Sequence, residues 1–444
     1  MSLIAIIFFI TYVLIIIFRK LQLPIALASV FLIAVTGLVP AQKLPGFVNY
    51  NVIAIFIATS VITALLYEVG FIDWIATSTI NIVARRVKNE FQLRLVVMLT
   101  LVILAGLISS FMENVATIML LYPIGLEVAR KLDIDPPSLL IGMSVATNLE
   151  GSALLIGDSP SIITAMFMKM DFIDFFFLKA ERNKPSLFFA VQIGLIFGVF
   201  VIYWIFRRNL KKVGFSKKEN ITFEVKRIES YFPLIIFGLY VVSLIIGSFL
   251  PEKPENYIVF IGGFFAFFAL SWTFLYFNKN REKEVDFLKH VDFHTLFFLI
   301  AIFMLVGSLS YSGFIDSVAR FFIRMTEKFR TNPVFAGYFL IVLVSMIISA
   351  FVDNIPYTMA MLPVARSMAE SLGASPYLFT FGLLLGTTIG GNITPIGSLS
   401  NVTILGVLRR NGYRHDFWTF ARIGLPFTLI ALLGSAGFIY FLYR

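Results

Sequence analysis

The chain has 444 residues, of which 59% are hydrophobic and only 14% charged. Ordinary soluble domains carry about 25% charged and about 45–50% apolar residues, so the composition excludes a soluble globular protein and implies a polytopic membrane protein whose first partner is the lipid bilayer. The net charge of +10 implies no nucleic acid, because the basic residues sit in short loops between apolar runs, as membrane topology requires.

Residues 2–18 are apolar, lack a basic stretch before them and run into Arg19 and Lys20. They read as a retained helix, not a cleaved signal. Further apolar runs fall at 23–40, 50–67, 93–111, 114–130, 138–169, 186–206, 231–250, 257–277, 293–311, 334–352, 354–370, 376–408 and 420–443. Segments 72–90 and 314–330 mix Arg and Lys with apolar residues and predict amphipathic helices at the membrane surface. The expected fold is all-α, with about ten transmembrane helices plus two re-entrant hairpins.

The loop 207–229 carries Arg207, Arg208, Lys211, Lys212, Lys217, Lys218, Lys226 and Arg227, which marks it as cytoplasmic. Arg19 with Lys20, Arg85, Arg86 and Lys88, the 278–290 segment (Lys279, Arg281, Lys283, Lys289) and the run Arg409, Arg410 and Arg414 fall on the same side. The acidic loop PEKPEN at 251–256 falls outside, as do both termini. Arg320, Arg324, Lys328 and Arg330 land outside against the rule, which an interfacial helix tolerates.

The sequence also repeats itself. Shifted by 240 positions, residues 109–163 fall on 349–403 without a gap. Asn114 meets Asn354, Pro123 meets Pro363, Gly151 meets Gly391, Gly157 meets Gly397, and Glu113 meets Asp353. Upstream, Gly70-Phe71-Ile72-Asp73 recurs as Gly313-Phe314-Ile315-Asp316. An odd number of crossings between equivalent points predicts an inverted repeat, 1–206 and 231–444, joined by a basic cytoplasmic linker at 207–230. Inverted repeats with interrupted helices are the architecture of secondary transporters.

Two polar strings recur in the apolar background. MENVATIMLLYP and VDNIPYTMAMLP each fall between two apolar pieces with no basic loop, which predicts hairpin tips at Glu113-Asn114 and Asp353-Asn354. Pro356 suits a turn or the first positions of a helix. NLEGSALLIGDSPS (148–161) and TIGGNITPIGSLSN (388–401) predict unwound backbone, tolerated at depth where it is buried or lines a cavity. A carboxylate at the bilayer centre costs about 2.5–3.5 kcal/mol on insertion scales, so Glu113, Glu150, Asp158 and Asp353 call for a role in ion coordination or proton exchange. Thr117, Asn148, Ser161, Thr358, Asn392, Thr394, Ser398, Ser400 and Asn401 add oxygen ligands suited to Na⁺, or donors to an oxyanion. The same groups can instead hydrogen-bond one another and tie the broken helices together.

FMENVATIMLLYP, LIGDSPS, VDNIPYTMAMLP and GGNITPIGSLSN resemble the motifs of the ion-transporter superfamily. The branch of NhaD-type sodium/proton antiporters, P protein and arsenite permeases, with its citrate-transporter-like domain, is the nearest. The resemblance covers both repeats. It implies scaffold parts at 1–92 and 231–333 that dimerise, and transport parts at 93–206 and 334–444 that move past them as an elevator. Carried over residue by residue, Asn114 and Thr117 belong to the first tip, Asp353, Asn354 and Thr358 to the second, and Gly157–Ser161 and Gly397–Asn401 to the two loops. The chain departs from the family pattern at Glu113 (usually Asp), Glu150 (usually Gly) and Ser161 (usually Asn), which leaves the coupling ion open between Na⁺ and H⁺.

The expectation is a secondary active transporter of the plasma membrane, a sodium (cation)/proton antiporter. The alternatives are a Na⁺- or H⁺-coupled carrier of a small anion (arsenite, citrate or another dicarboxylate) and an ion channel. No cofactor is expected beyond the coupling ion. The absence of cysteine excludes disulfides, thiolate metal sites and thiol nucleophiles, and no GxxxxGK[ST] loop or HExxH pattern occurs. His290 and His294, spaced i,i+4 beside Asp292, read as the start of a helix, not a metal pair.

Overall fold

A computed structural model describes residues 3–210, 223–254, 256–277, 287–327, 332–413 and 416–444. The central part of the expected basic linker lies outside these residues, as do Lys279, Arg281, Lys283, Lys328, Arg330 and Arg414. The described chain is almost wholly helical. The first half contains α1 Leu3–Ile17, α2 Gln22–Val35, α3 Tyr50–Glu68, α4 Phe71–Arg86, α5 Glu90–Ser109, α6 Asn114–Leu132, α7 Pro136–Glu150, α8 Ser159–Met168 and α9 Leu187–Leu210. The second contains α10 Phe232–Ser248, α11 Tyr257–Phe277, α12 Phe293–Tyr311, α13 Phe314–Glu327, α14 Pro333–Ser349, α15 Asn354–Ser371, α16 Pro376–Gly390, α17 Leu399–Arg410 and α18 Phe417–Tyr443. Helix for helix, the order of the first run recurs in the second.

Among the described residues, α3, α5, α9, α11, α12 and α18 are long and apolar enough to cross a bilayer. The larger number expected from the sequence includes shorter apolar helices, among them α1, α10, α14 and α16. The long apolar runs 138–169 and 376–408 are each split where Gly and small polar residues interrupt them. Residues 151–158 separate α7 from α8, and residues 391–398 separate α16 from α17. Two features were not expected: an antiparallel pair of two-residue strands, Phe177–Leu178 and Lys184–Pro185, and 3₁₀ turns at Arg19–Leu21 and Ala41–Phe47. Such pieces are too short to leave a periodic signal.

Local chemistry sets the helix starts. Asn49, Asn89, Asp135, Asp158, Asp292, Asn332, Asp353 and Asp416 each stand just before a helix and accept a hydrogen bond from one of its first backbone N–H groups. Those N–H groups otherwise lack an intrahelical partner. Gly70 and Gly313 share a left-handed conformation, φ 74° and 72°, which a residue without Cβ adopts freely. Each turns the chain from a long apolar helix, α3 or α12, into a shorter amphipathic one, α4 or α13.

Packing interlocks the halves. α3 lies against α11, and α12 against α2; α5 packs on α7 and α14 on α16. Across the halves, α6 packs on α17, α8 on α15, α9 on α18 and α7 on α16. Polar contacts gather the loops at two ends. Glu68 with His290, Asp73 with Lys226, Asn81 with Phe223 and Arg130 with Asn411 lie at one. Asp171 with Lys253, Glu181 with Ser375, Asn332 with Tyr440 and Pro185 with Tyr443 lie at the other.

Candidate functional site

Two breaks in each half face one another: a hairpin tip, and the loop between two collinear helix pieces. In the first half the tip is Ser110–Glu113 between α5 and α6, and the loop is Gly151–Asp158. Ser109 Oγ donates to Asn114 Oδ1 at 2.7 Å and orients that amide. Asp158 caps α8: its Oδ1 accepts from Ser161 N (2.9 Å) and Ser161 Oγ (2.6 Å). Its second oxygen, Oδ2, is buried, with the Asn114 side chain as its polar neighbour. The close packing over Gly151 shows what this oxygen meets. A Cβ built on Gly151 would lie 2.4 Å from Asn114 Oδ1 and 2.9 Å from Asp158 Oδ2. A Cβ on Gly157 would lie 2.3 Å from the Gly151 carbonyl oxygen and 2.9 Å from that of Ser110. Two glycines therefore let a carboxylate, an amide and two backbone carbonyls crowd together at a buried point. Oxygen ligands of this kind suit a hard cation.

The second half repeats the arrangement without the loop carboxylate. Ser349 Oγ lies 2.5 Å from Asn354 Oδ1 and 2.6 Å from Thr387 O. Thr394 Oγ1 donates to the tip carbonyl of Ala350. A Cβ on Gly397 would lie 2.3 Å from the Gly391 carbonyl. Asn401 Nδ2 donates to the carbonyls of Gly391 (2.9 Å) and Thr394 (3.2 Å). Ser161, at the matching position, approaches Gly151 O at 3.2 Å, so the serine keeps a loop contact that the asparagine makes in the other half. Where the first loop has Asp158, the second has Ser398.

A hydrogen-bonded cluster joins the halves. Asn148 Nδ2 on α7 donates to Asn392 Oδ1 (2.7 Å) and Asn401 Oδ1 (3.1 Å). Its Oδ1 accepts from Ser398 Oγ (2.9 Å) and Ser400 Oγ (2.7 Å). Ser144 Oγ donates to Asn401 Oδ1 at 2.8 Å, and Asn392 Nδ2 to Val145 O at 2.9 Å. Asn148, Asn392, Ser398, Ser400 and Asn401 are thus brought together and satisfied by one another. A buried network of this kind rigidifies the elements it joins.

The remaining candidates divide. Asp353 caps α15 by accepting from Ile355 N at 3.1 Å, and Pro356 occupies the first turn of that helix, not the tip itself. Glu113 stands at the equivalent position but makes no cap bond. Its side chain lines a cavity of about 380 Å³ between α3, α6 and the start of α12, shared with Thr59, Thr63, His290, Asp292 and His294. Asp158, Asp292 and Asp353 all lie within electrostatic reach of Glu113. Asp292 is the N-cap of α12, bonded to Thr295, so His294 sits at a helix start, whereas His290 ends the helical turn 287–290 with its Nδ1 3.1 Å from Glu68. A second cavity of about 410 Å³ lies against α12 and α15, as the first does against α3 and α6, but without a charged residue in its described lining, which includes Phe303, Met359 and Leu362. Thr117 bonds back to Glu113 O (3.2 Å), and Thr358 Oγ1 is buried without a partner. Glu150 stands apart, bonded to Gln192 of α9.

Sequence reasoning missed Ser109 and Ser349, which orient the tip amides, although both lie inside the repeated string. It also missed Gln192, whose signal is one amide in an apolar helix. Arg19, whose Nη2 donates to Phe351 O of the second tip at 3.2 Å, looked like an ordinary topology marker.

The chain is similar to known transporters. The chain is 28% identical over 398 residues to an uncharacterized transporter of Mycobacterium tuberculosis, covering 89% of this chain and 87% of the relative. It is 23% identical over 482 residues to the human P protein, covering 91% of this chain and 55% of the longer relative. The solved structure of the YdaH transporter of Alcanivorax borkumensis matches with a TM-score of 0.58 at 14% identity, over 89% of this chain and 86% of that one. That of MtrF of Neisseria gonorrhoeae matches with a TM-score of 0.54 at 13% identity, over 93% and 84%. Residues 12–384 match the citrate transporter family, CitMHS. The chain belongs to that family and is an integral membrane transporter.

Proposed function

We propose that the chain is a secondary active sodium (cation)/proton antiporter whose ion site is the oxygen cluster around Asp158. The observation that carries this reading is the buried Asp158 carboxylate beside the Asn114 amide, in a loop whose Gly157 packs against the carbonyls of Gly151 and Ser110. A carboxylate there binds either a cation or a proton, and that competition is the chemistry of exchange. Asp353, Asn354, Thr358 and Thr394 form the weaker second half-site.

The matching order of α1–α9 and α10–α18 supports an inverted repeat. Cross-half packing of α6 on α17 and of α8 on α15 supports a transport unit built from 93–206 and 334–444. In this proposal it moves as an elevator past scaffold parts 1–92 and 231–333 that form a homodimer in the plasma membrane. The gathering of Lys226, Arg130 and Asn411 at one end and of the 251–254 loop at the other supports termini on the outside and the basic linker in the cytoplasm.

A second reading is cation-coupled transport of a small anion such as citrate. The family match and His290, His294 and Lys289 in the first cavity favour it. Purified protein in proteoliposomes separates the two. The proposal expects an imposed pH gradient to drive saturable Na⁺ uptake that needs no citrate. Citrate or arsenite uptake without Na⁺/H⁺ exchange overturns it.

A further inference from the structure

The two hairpin tips meet the rest of the molecule through different chemistry. Phe111 of the first tip and Phe351 of the second are equivalent in the repeat. The Phe111 ring lies edge-on to Phe237 of α10, with centroids 6.0 Å apart. At the second tip the contact comes from the turn between α1 and α2, and it is polar: Arg19 Nη2 donates to Phe351 O at 3.2 Å. Phe351 stands just before the Asp353 cap in sequence, and the Arg19 guanidinium and the Asp353 carboxylate lie within electrostatic reach of each other. Lys20, the next residue, is exposed, as a basic residue that only marks the membrane surface would be, whereas Arg19 is half-buried.

This contact sets the two half-sites apart. In the first, the side chains bonded to the loop carboxylate Asp158 are neutral, Ser161 and Asn114. The second has Ser398 at that place, which leaves Asp353 as the carboxylate of its tip and loop, and this is the one with a cation beside it. An arginine keeps its charge throughout the working pH range, and its planar head suits both a carbonyl and a carboxylate. The oxygen groups of a cation site are nevertheless kept at the second tip. Asn354 Oδ1 accepts from Ser349 as Asn114 Oδ1 does from Ser109. Thr358, one turn into α15, has a buried hydroxyl without a partner. A Cβ on Gly391 would lie 3.3 Å from Asn354 Oδ1, whereas one on Gly151 would lie 2.4 Å from Asn114 Oδ1, so the second cluster is the more open of the two. The second tip therefore lacks neither ligands nor room; its charge is already matched.

We propose that Arg19 is a resident cation at the second tip: its guanidinium takes the charge position beside Asp353, so the chain binds a single coupling cation, at the Asp158 loop. This rests on the two half-sites of the antiport reading and explains why the second is the weaker. Binding of radioactive Na⁺ to the purified full-length protein at alkaline pH, where protons do not compete, tests it. Arg19→Gln is expected to raise the number of Na⁺ bound per chain by one over the wild type. Combining Arg19→Gln with Asp353→Asn should cancel that gain, and Arg19→Lys, which keeps the charge, should show none. A second neutral variant, Arg19→Met, keeps the apolar stem and decides if Arg19→Gln does not fold. A wild type that already binds two Na⁺, an unchanged count in a folded neutral variant, or a gain that survives the loss of Asp353 overturns the proposal. A wild type that binds no Na⁺ overturns the antiport reading instead, and the gain in the neutral variant still decides this one.

Discussion

Single atoms carry the site. Gly151 and Gly157 matter because a methyl group on either would overlap an oxygen of the cluster, at 2.4 Å and 2.3 Å. Forcing a side chain into a packed interior costs about 1–3 kcal/mol. Gly151→Ala is therefore expected to lower transport by about tenfold or more and to lower the melting temperature in detergent. Gly390 of α16, packed on the Met346 backbone of α14, gives the contrasting case, in which glycine serves helix packing alone; Gly390→Ala should lower melting without changing the apparent affinity for Na⁺. A comparison of KM between these variants checks the distinction. At this scale the sequence was partly legible. The registered Gly, Asn and acidic residues marked the site, because each is costly in an apolar helix. The approach of Asn114 to Asp158, and the bond of Gln192 to Glu150, were not legible, since both depend on which side chains meet across elements distant in sequence.

The broken helices are held by exchange of hydrogen bonds between halves. Asn148 saturates both its amide groups with Asn392, Asn401, Ser398 and Ser400. Replacing it by leucine leaves several buried polar groups without a partner, at about 1–3 kcal/mol each. Asn148→Leu should thus lose several degrees of thermal stability in a melting assay, more than Asn114→Leu at the ion cluster. Equal melting of the two would place Asn148 among the ion ligands instead of the structural ties. The helices, their splits near residues 150 and 390 and their proline-marked starts were readable from apolar periodicity and helix-breaking residues. The strands at 177–185 were not, because pairing of two residues with two leaves no pattern.

At the scale of the whole molecule, the expected motion requires contacts between scaffold and transport parts to break. Two such contacts are open to test: Arg19 on the Phe351 carbonyl, and Asp171 held by Lys253 and Tyr257. The native chain has no cysteine, so introduced pairs react without background. A disulfide between cysteines placed at Asp171 and Lys253 should abolish transport under oxidation and restore it on reduction. Full transport by the crosslinked protein would show that these parts do not separate. The recurring order of helices was legible from the sequence repeat. The cross-half packing of α6 on α17 and of α8 on α15 was not, because a repeat gives the order of elements but not which of them touch.

The central claim concerns Asp158. Asparagine caps a helix as well as aspartate does, so Asp158→Asn and Asp353→Asn remove charge while keeping the starts of α8 and α15. Na⁺/H⁺ exchange should be measured for both in proteoliposomes across pH. The account predicts a loss of at least about a hundredfold in Asp158→Asn at every pH, roughly 2.7 kcal/mol of transport barrier, and a smaller loss in Asp353→Asn. Wild-type exchange by a folded Asp158→Asn protein would contradict it.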